Sequence, residues 1–276
     1  PLGDEFNSSP IYKFHRNSVS EGTFGSTDLN VDYQHSTSKK DELLTVSYRF
    51  SQSPNDSESN TELSDVVNYY LSNEYPKWND ASTIEHTGQI DYTTPLFNKQ
   101  TLEAGVKYIN RQNKSNTLEQ IYNDSTKMWE DHSRDNSQFR HTQHIYSAYL
   151  GYLIRLNKFG IKAGVRAEGT SLKAEFARKP DMDFSTNYFD VVPNATLTYQ
   201  IDMSTQIRLG YNMRIQRPGI WYLNPYINDV DPQNISQGNP NLDSEKSNNV
   251  NLNFSKFTQK FSINASLSYT FVNNPI

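Results

Sequence analysis

The chain of 276 residues contains no cysteine, which excludes a disulfide scaffold, a zinc–thiolate site and a thiol nucleophile together. Apolar side chains are scarce, at 34%, and mean hydropathy is −0.80, below the usual range of a soluble globular domain. No apolar run reaches the roughly 18 residues that a membrane-spanning helix needs. Basic residues number 26 against 31 acidic ones, giving a net charge of −5 and a pI near 5.7; that balance offers nucleic acid no basic face. There is no Gly-x-Ser-x-Gly, no His-Glu-x-x-His and no phosphate-cradling glycine loop followed by Lys, so no catalytic set emerges and an enzyme is not expected. The neighbouring carboxylates Glu130 and Asp131 sit in a charged, solvated stretch.

Aromatics and asparagine are plentiful by contrast. Eighteen Tyr and 14 Phe raise the aromatic share to 13%, unlike a disordered chain. Thirty asparagines point to turns and polar surfaces. The apolar residues recur with period 2. From Tyr146 one row reads Tyr146, Ala148, Leu150, Tyr152, Ile154 and Leu156 against Ser147, Tyr149, Gly151, Leu153 and Arg155. After the two-residue turn Asn157-Lys158 the next row is Phe159, Ile161, Ala163, Val165 and Ala167, opposed by Gly160, Lys162, Gly164, Arg166 and Glu168. Similar rows start at Phe189, Ile207, Val250 and Phe261, and strands are expected at Leu29–His35, Leu44–Phe50, Ile84–Thr94 and Leu102–Asn110, with a short one at Ile11–Arg16. About eleven strands result. Several exceed the usual globular length and match the 9–11 residues that cross a bilayer at a tilt.

Connections alternate between short and long. Short ones fall at Ser36–Lys40, Leu96–Lys99, Asn157–Lys158, Asp202–Ser204 and Lys256–Gln259; long loops are expected at Gln52–Ser82, Arg111–Gln143, Ser171–Asn187 and Arg217–Ser247. This sidedness is that of outer-membrane barrels. The fold class expected is therefore all-β, an antiparallel up-and-down transmembrane β-barrel with short periplasmic turns and long extracellular loops. A soluble all-β binding module whose apolar rows meet in a dry core, using loop aromatics for carbohydrate, is the alternative; a barrel-shaped hydrolase is a third. Pro1–Phe6 reads as the remnant of a cleaved tag with a cloning scar, and residues 7–276 as a fragment of one barrel domain.

One stretch is recognisable. Leu209-Gly-Tyr-Asn-Met-Arg-Ile-Gln-Arg-Pro218, then Gly219-Ile-Trp-Tyr-Leu-Asn-Pro225, Gly238-Asn-Pro-Asn-Leu242 and Ser244-Glu245-Lys246-Ser247 resemble the TonB-dependent receptors, and most their outer-membrane β-barrel subfamily. The motif residues carried over are Arg217, Pro218, Asn224, Pro225, Gly238, Asn239, Pro240, Leu242 and Glu245. Ser244 departs from the pattern, since the family usually has Pro before the Glu. Phe189-Asp-Val-Val-Pro193 and Phe159-Gly-Ile-Lys-Ala-Gly-Val-Arg166 also look like this family. The resemblance implies a parent barrel of about 22 strands in the outer membrane of a Gram-negative bacterium, of which this chain holds about 10 to 12. It also implies a plug domain, contact with the TonB complex, and import of a scarce nutrient of siderophore, glycan, cobalamin or peptide class. No cofactor is implied.

Candidate site residues follow from the pattern. Trp78, Trp129, Trp221 and Tyr222 are loop aromatics able to stack on a ring-bearing ligand, or to pack loop on loop. Lys162, Arg166, Glu168, Arg208 and Arg214 are expected on the wet inner face, guiding an anionic solute or bracing a plug, or simply solvated. His132, His141 and His144 suggest a metal, but His141 and His144 fall on opposite faces of an extended strand, so no metal site is expected. Asp229/Asp231 and Asp181/Asp183 lack the glycine and final glutamate of a calcium loop.

Overall fold

The computed structural model describes residues 13–67, 74–123, 125–131, 137–225 and 237–276. The tag remnant at Pro1–Phe6, along with Ile11, His132, Asp229 and Asp231, lies outside the described residues. In chain order the strands are β1 (Lys13–Phe24), β2 (Thr27–Ser36), β3 (Leu43–Val67), β4 (Glu74–Pro95), β5 (Gln100–Asn123), β6 (Met128–Asp131), β7 (Ser137–Leu156), β8 (Phe159–Phe176), β9 (Phe184–Asp202), β10 (Thr205–Gln216), β11 (Glu245–Phe257) and β12 (Ser262–Asn273). A 3-10 turn at Pro180–Met182 and a single helical turn, α1 (Ile220–Leu223), complete the described elements. All pairings are antiparallel, in the order β1-β3-β4-β5-β7-β8-β9-β10-β11-β12, with β2 also on β3 and β6 on β5. This is an up-and-down wall, a partial barrel.

Register brings the apolar rows of successive strands onto one face. Val46, Ile90, Val106, Ala148, Ala167 and Val191 lie side by side; so do Ile154, Ile161, Leu197, Leu209, Leu252 and Leu267. They do not meet in a dry core. Ile161 is 39% exposed, Val165 43%, Leu209 45% and Leu267 70%, which contradicts the soluble sandwich. On β7 this belt runs from Tyr146 to Leu156, roughly 25 Å at a barrel strand's tilt. The buried apolar residues sit instead on the opposite, inner face: Ile145, Leu172, Ala174, Phe176, Tyr188 and Val192, with Leu223 of α1 fully buried as well.

The short turns gather at one end. Asn157 adopts a left-handed φ of 45° in the two-residue turn, a conformation Asn tolerates. Asp202 caps its own turn by accepting hydrogen bonds from the Ser204 N–H at 2.8 Å and the Ser204 hydroxyl at 2.7 Å; these bonds hold its carboxyl below the usual carboxylate range.

Two expectations need correction. The stretches 52–82, 111–143 and 171–187 are not loops through most of their length, because β3, β4, β5, β7, β8 and β9 continue through them. A backbone ladder needs no apolar row once both faces are wet, and the Ser, Thr and Asn there hide the strand from a hydrophobic count. The short strand expected at Ile11–Arg16 is the start of β1, which runs to Phe24. Moreover β1 and β2 are not hairpin partners: β1 pairs with Asn55–Val67 and β2 with Leu43–Gln52, so they form one interrupted edge strand along β3. The break lies at Gly25, whose N–H reaches the carbonyl of Pro54 at 3.3 Å, opposite a residue that cannot donate to the ladder.

Candidate functional site

The inner face is built by the polar row of each strand. The five predicted charges all share it, because Lys162, Arg166 and Glu168 alternate with the belt on β8, and Arg208 and Arg214 do so on β10. Lys162 Nζ lies 2.8 Å from Glu103 Oε2. Arg166 Nε meets Glu168 Oε1 at 2.5 Å, and Arg217 Nη2 meets Glu168 Oε2 at 2.5 Å. Arg208 and Arg214 make no ion pair among the described residues and stay exposed. The predicted set therefore divides into a braced group on β8 and two free cations on β10.

Glu168 is the hub of the braced group. Its side chain is 9% exposed and that of Arg217 16%; such a pair is costly to break, because removal of one partner strands a buried charge. In register with Glu168 lies Asp190, which accepts a hydrogen bond from the Ser244 hydroxyl at 3.0 Å and an ion pair from Lys246 Nζ at 3.2 Å. Arg217 and Ser244 bracket the long connection between β10 and β11. The two carboxylates of the β8–β9 pair thus clamp both ends of that loop to the inner wall. Ser244, the departure from the family pattern, supplies the hydroxyl to a buried aspartate.

The motif between those ends is a backbone knot. The Gly238 N–H donates to the carbonyl of Asn224 at 2.8 Å, and the Asn239 N–H to that of Tyr222 at 2.6 Å. A Cβ on Gly238 would stand 2.5 Å from the Asn224 carbonyl oxygen and 2.7 Å from that of Tyr222, so only glycine fits this close approach. Pro218 is buried where β10 has ended, and Leu242 and Pro240 lie half-buried beyond the knot. Asn224 and Pro225 complete α1's exit, and Glu245 opens β11.

The aromatics are not brought to one place by a single element. Trp78 lies within β4 and not in a loop. Trp129 is exposed on β6 and packs edge-on to Tyr122, with ring centroids 5.4 Å apart. Trp221 and Tyr222 belong to α1, and Tyr222 is exposed. His141 faces inward and His144 outward, as the alternation requires. Among the described residues no cluster of three metal-ligating side chains exists. Glu130 and Asp131 are occupied within the β5–β6 ribbon, accepting from Asn123 and Gln120; Asp183 caps the end of β8 through the Phe176 N–H at 2.7 Å.

Sequence reading missed three inner-face carboxylates. Glu103 pairs with Lys162, Asp190 holds the loop, and Asp91 accepts a hydrogen bond from Tyr149. The Tyr149 ring crosses Gly105 to reach Asp91, and a Cβ there would stand 2.5 Å from the ring. Their position in the polar row was the available signal; their partners lie on strands distant in sequence.

An outward apolar belt, a charged inner face and turns sorted by length define a membrane-spanning β-barrel wall. The sequence matches the model of the outer membrane protein beta-barrel family over residues 35–276. No curated protein matches it. Solved structures with the same fold include the copper transporter OprC, at 12% identity and TM-score 0.59, covering 95% of this chain and 49% of that one. The unliganded ferric citrate transporter FecA matches at 12% identity and TM-score 0.62, with 90% and 34% coverage. The siderophore receptor PiuA from Acinetobacter baumannii matches at 14% identity and TM-score 0.57, with 91% and 40%. The chain spans half or less of the length of these structures. It belongs to the outer membrane protein β-barrel family, whose place is the outer membrane of Gram-negative bacteria.

Proposed function

We propose that this chain forms part of the barrel of a TonB-dependent receptor, which captures a scarce nutrient outside the cell and imports it with energy delivered through TonB. The observation that carries the reading is one-sided extension. Strands β3, β4, β5 and β7 run far past the belt at the end that carries the long connections, while the other end closes in tight turns. A pore-forming wall alone needs only the belt; a wall raised above the membrane presents surface to solutes before they enter. The fold neighbours OprC, FecA and PiuA are described as transporters or receptors of copper, ferric citrate and siderophore; that likeness supports adding metal complexes to glycan, cobalamin and peptide as candidate cargoes.

In this reading the remaining strands and an N-terminal plug complete the barrel, and the Glu168–Arg217 brace holds the end of β10 at the lumen wall. Arg208 and Arg214, without carboxylate partners among the described residues, supply positive potential for an anionic solute or for plug carboxylates. Trp129 and Tyr222 are exposed and offer stacking faces at the long-loop end. Uptake of labelled ferric siderophore, oligosaccharide, cobalamin and peptide by cells making the receptor that contains this chain tests the reading. Accumulation of one class is expected only with TonB present; equal accumulation in cells lacking TonB refutes energised import.

A further inference from the structure

The inner face divides into two sectors of different chemistry. On β4, β5 and β8 it carries carboxylates, and each is engaged: Glu85 with Arg111 at 2.6 Å, Asp91 with Tyr149, Glu103 with Lys162, and Glu168 with Arg166 and Arg217. From β9 to β12 the inward positions between Val192 and Gln200, Gln206 and Gln216, Ser247 and Ser255, and Asn264 and Val272 hold no carboxylate. Amides and hydroxyls fill most of them, and Arg208 and Arg214 are the only charges at those positions.

Within the second sector the amides of β11 form a ladder. Asn253 Nδ2 donates to Asn251 Oδ1 at 3.1 Å, Asn251 Nδ2 to Asn249 Oδ1 at 3.2 Å, and Asn249 Nδ2 to the Ser268 and Thr270 hydroxyls at 2.8 Å each. A primary amide has two N–H donors and two lone pairs, so Asn251, in the middle, keeps one of each whichever way the ladder is oriented. The ladder is also sunk into the wall. Gly210 is in register with Asn251, whose amide folds over it: an added Cβ would stand 2.8 Å from Asn251 Oδ1 and 3.0 Å from its Nδ2. The amide of Asn194 covers Gly164 in the same way. Polar groups therefore lie flat on the sheet, and a solute can approach it closely. Arg208 faces Asn253 at one end of the ladder and Arg214 faces Ser247 just past the other, which sets the two cations roughly 20 Å apart along β10.

We infer that this sector binds an acidic oligosaccharide laid along β10 and β11, with its hydroxyls on the amide ladder and its acidic groups against Arg208 and Arg214. A compact metal chelate cannot touch both arginines across that span. An extended acidic peptide can, but its backbone offers donors and acceptors singly. Each sugar hydroxyl is donor and acceptor at once, and two adjacent hydroxyls match the N–H and lone pair that one amide presents side by side. A neutral glycan leaves the arginines unused. The inference narrows the cargo class of the import reading and rests on that reading's placement of this face on the lumen.

The test is titration calorimetry on the purified receptor that contains this chain, with hexagalacturonate, maltohexaose and hexaglutamate as probes. Hexagalacturonate is expected to bind about tenfold or more tightly than either of the others. Arg208→Gln/Arg214→Gln should remove that advantage over maltohexaose and leave maltohexaose binding as it was. Asn251→Ala/Asn253→Ala should weaken both sugars alike, and Lys107→Gln, an inward cation on the carboxylate-bearing sector, should change neither. The proposal is overturned if no sugar binds, if hexaglutamate binds as tightly as hexagalacturonate, or if the arginine variant keeps the parent's preference, as it would were this wall covered by a plug. Should the asparagine variant fail to fold, judged by heat-dependent migration, the arginine variant alone decides. Binding by the purified receptor needs no TonB. Energised uptake of another class without hexagalacturonate binding therefore sinks only this inference, and binding without energised uptake sinks only the import reading.

Discussion

Ala163 sits at the centre of the β8 belt, four residues from Phe159 and four from Ala167, and faces outward, while its neighbour Lys162 faces inward and pairs with Glu103. Replacing Ala163 with arginine moves a cation one residue along the strand and to the other side of the wall. From Ala163 to either end of the apolar row is about 13 Å along the strand and about 10 Å along the membrane normal at a barrel strand's tilt. An arginine side chain cannot bring its guanidinium fully to water across that distance, so the cost expected is about 2–4 kcal/mol. That corresponds to a roughly 30- to 1,000-fold fall in the folding equilibrium constant. The control is Gln206→Arg, on the inner face of β10 two residues from the native Arg208, where the change is expected to stay within about 0.5 kcal/mol. Urea titration of the chain in phosphatidylcholine bilayers, followed by tryptophan emission and heat-dependent migration, gives both numbers. If Ala163→Arg costs less than about 1 kcal/mol, or no more than the control, the belt does not face hydrocarbon and the orientation of the whole wall is wrong.

Three further outcomes are expected. Arg217→Ala leaves the buried Glu168 with Arg166 alone, and should destabilise by about 3–5 kcal/mol; Glu168→Gln with Arg217→Ala should recover part of it, measured by the same titration. Gly238→Ala drives a Cβ into the Asn224 and Tyr222 carbonyls, neither of which can give way, and should speed chymotryptic cleavage after the exposed Tyr222 while the belt strands stay protected from deuterium exchange. His141, on the extension of β7 beyond the belt, is held down to about 4 by burial first and the charge of Arg111 second. A lowered histidine binds its proton less readily in the folded than in the unfolded chain, so its burial costs nothing above about pH 6.5. Stability then falls as pH drops from there towards 4, by an amount on the order of 3 kcal/mol. The urea midpoint measured between those pH values should show this slope, and His141→Phe should flatten it.

What the sequence made legible was set by which residues the membrane tests. Hydrocarbon demands an apolar side chain at every second position, so the rows through Tyr146–Leu156 and Phe159–Ala167 announce strand, face and turn together. Beyond the belt that demand ends. Strands such as Ser51–Val67 and Arg111–Asn123 are held by backbone ladders with Ser, Thr, Asn and Glu on both faces, and no period in hydropathy marks them. The inner-face charges were legible as a row but not as a network, because Lys162–Glu103 and Tyr149–Asp91 join residues 58 or 59 positions apart. Register, which no local pattern encodes beyond the turns, decides those partners.

The motif around Arg217 and Gly238 illustrates why a recognisable stretch is not by itself a ligand site. Each of its residues has a mechanical task at the point where β10 stops: Arg217 ties the strand end to Glu168, Pro218 ends the ladder, Gly238 lets two backbone segments touch, and Ser244 with Lys246 returns the chain to Asp190. All of these contacts run to the β8–β9 pair or within the loop itself, so the motif fixes where the loop leaves the wall. In the import reading, specificity for a cargo belongs to groups outside the motif, and among the described residues of this wall those are Arg208 and Arg214, which make no ion pair, and the exposed Trp129. Charge reversal at Arg208 and Arg214 should therefore change which solute is taken up while leaving the urea midpoint in place, whereas changes at Glu168 or Gly238 should move the midpoint for every solute alike.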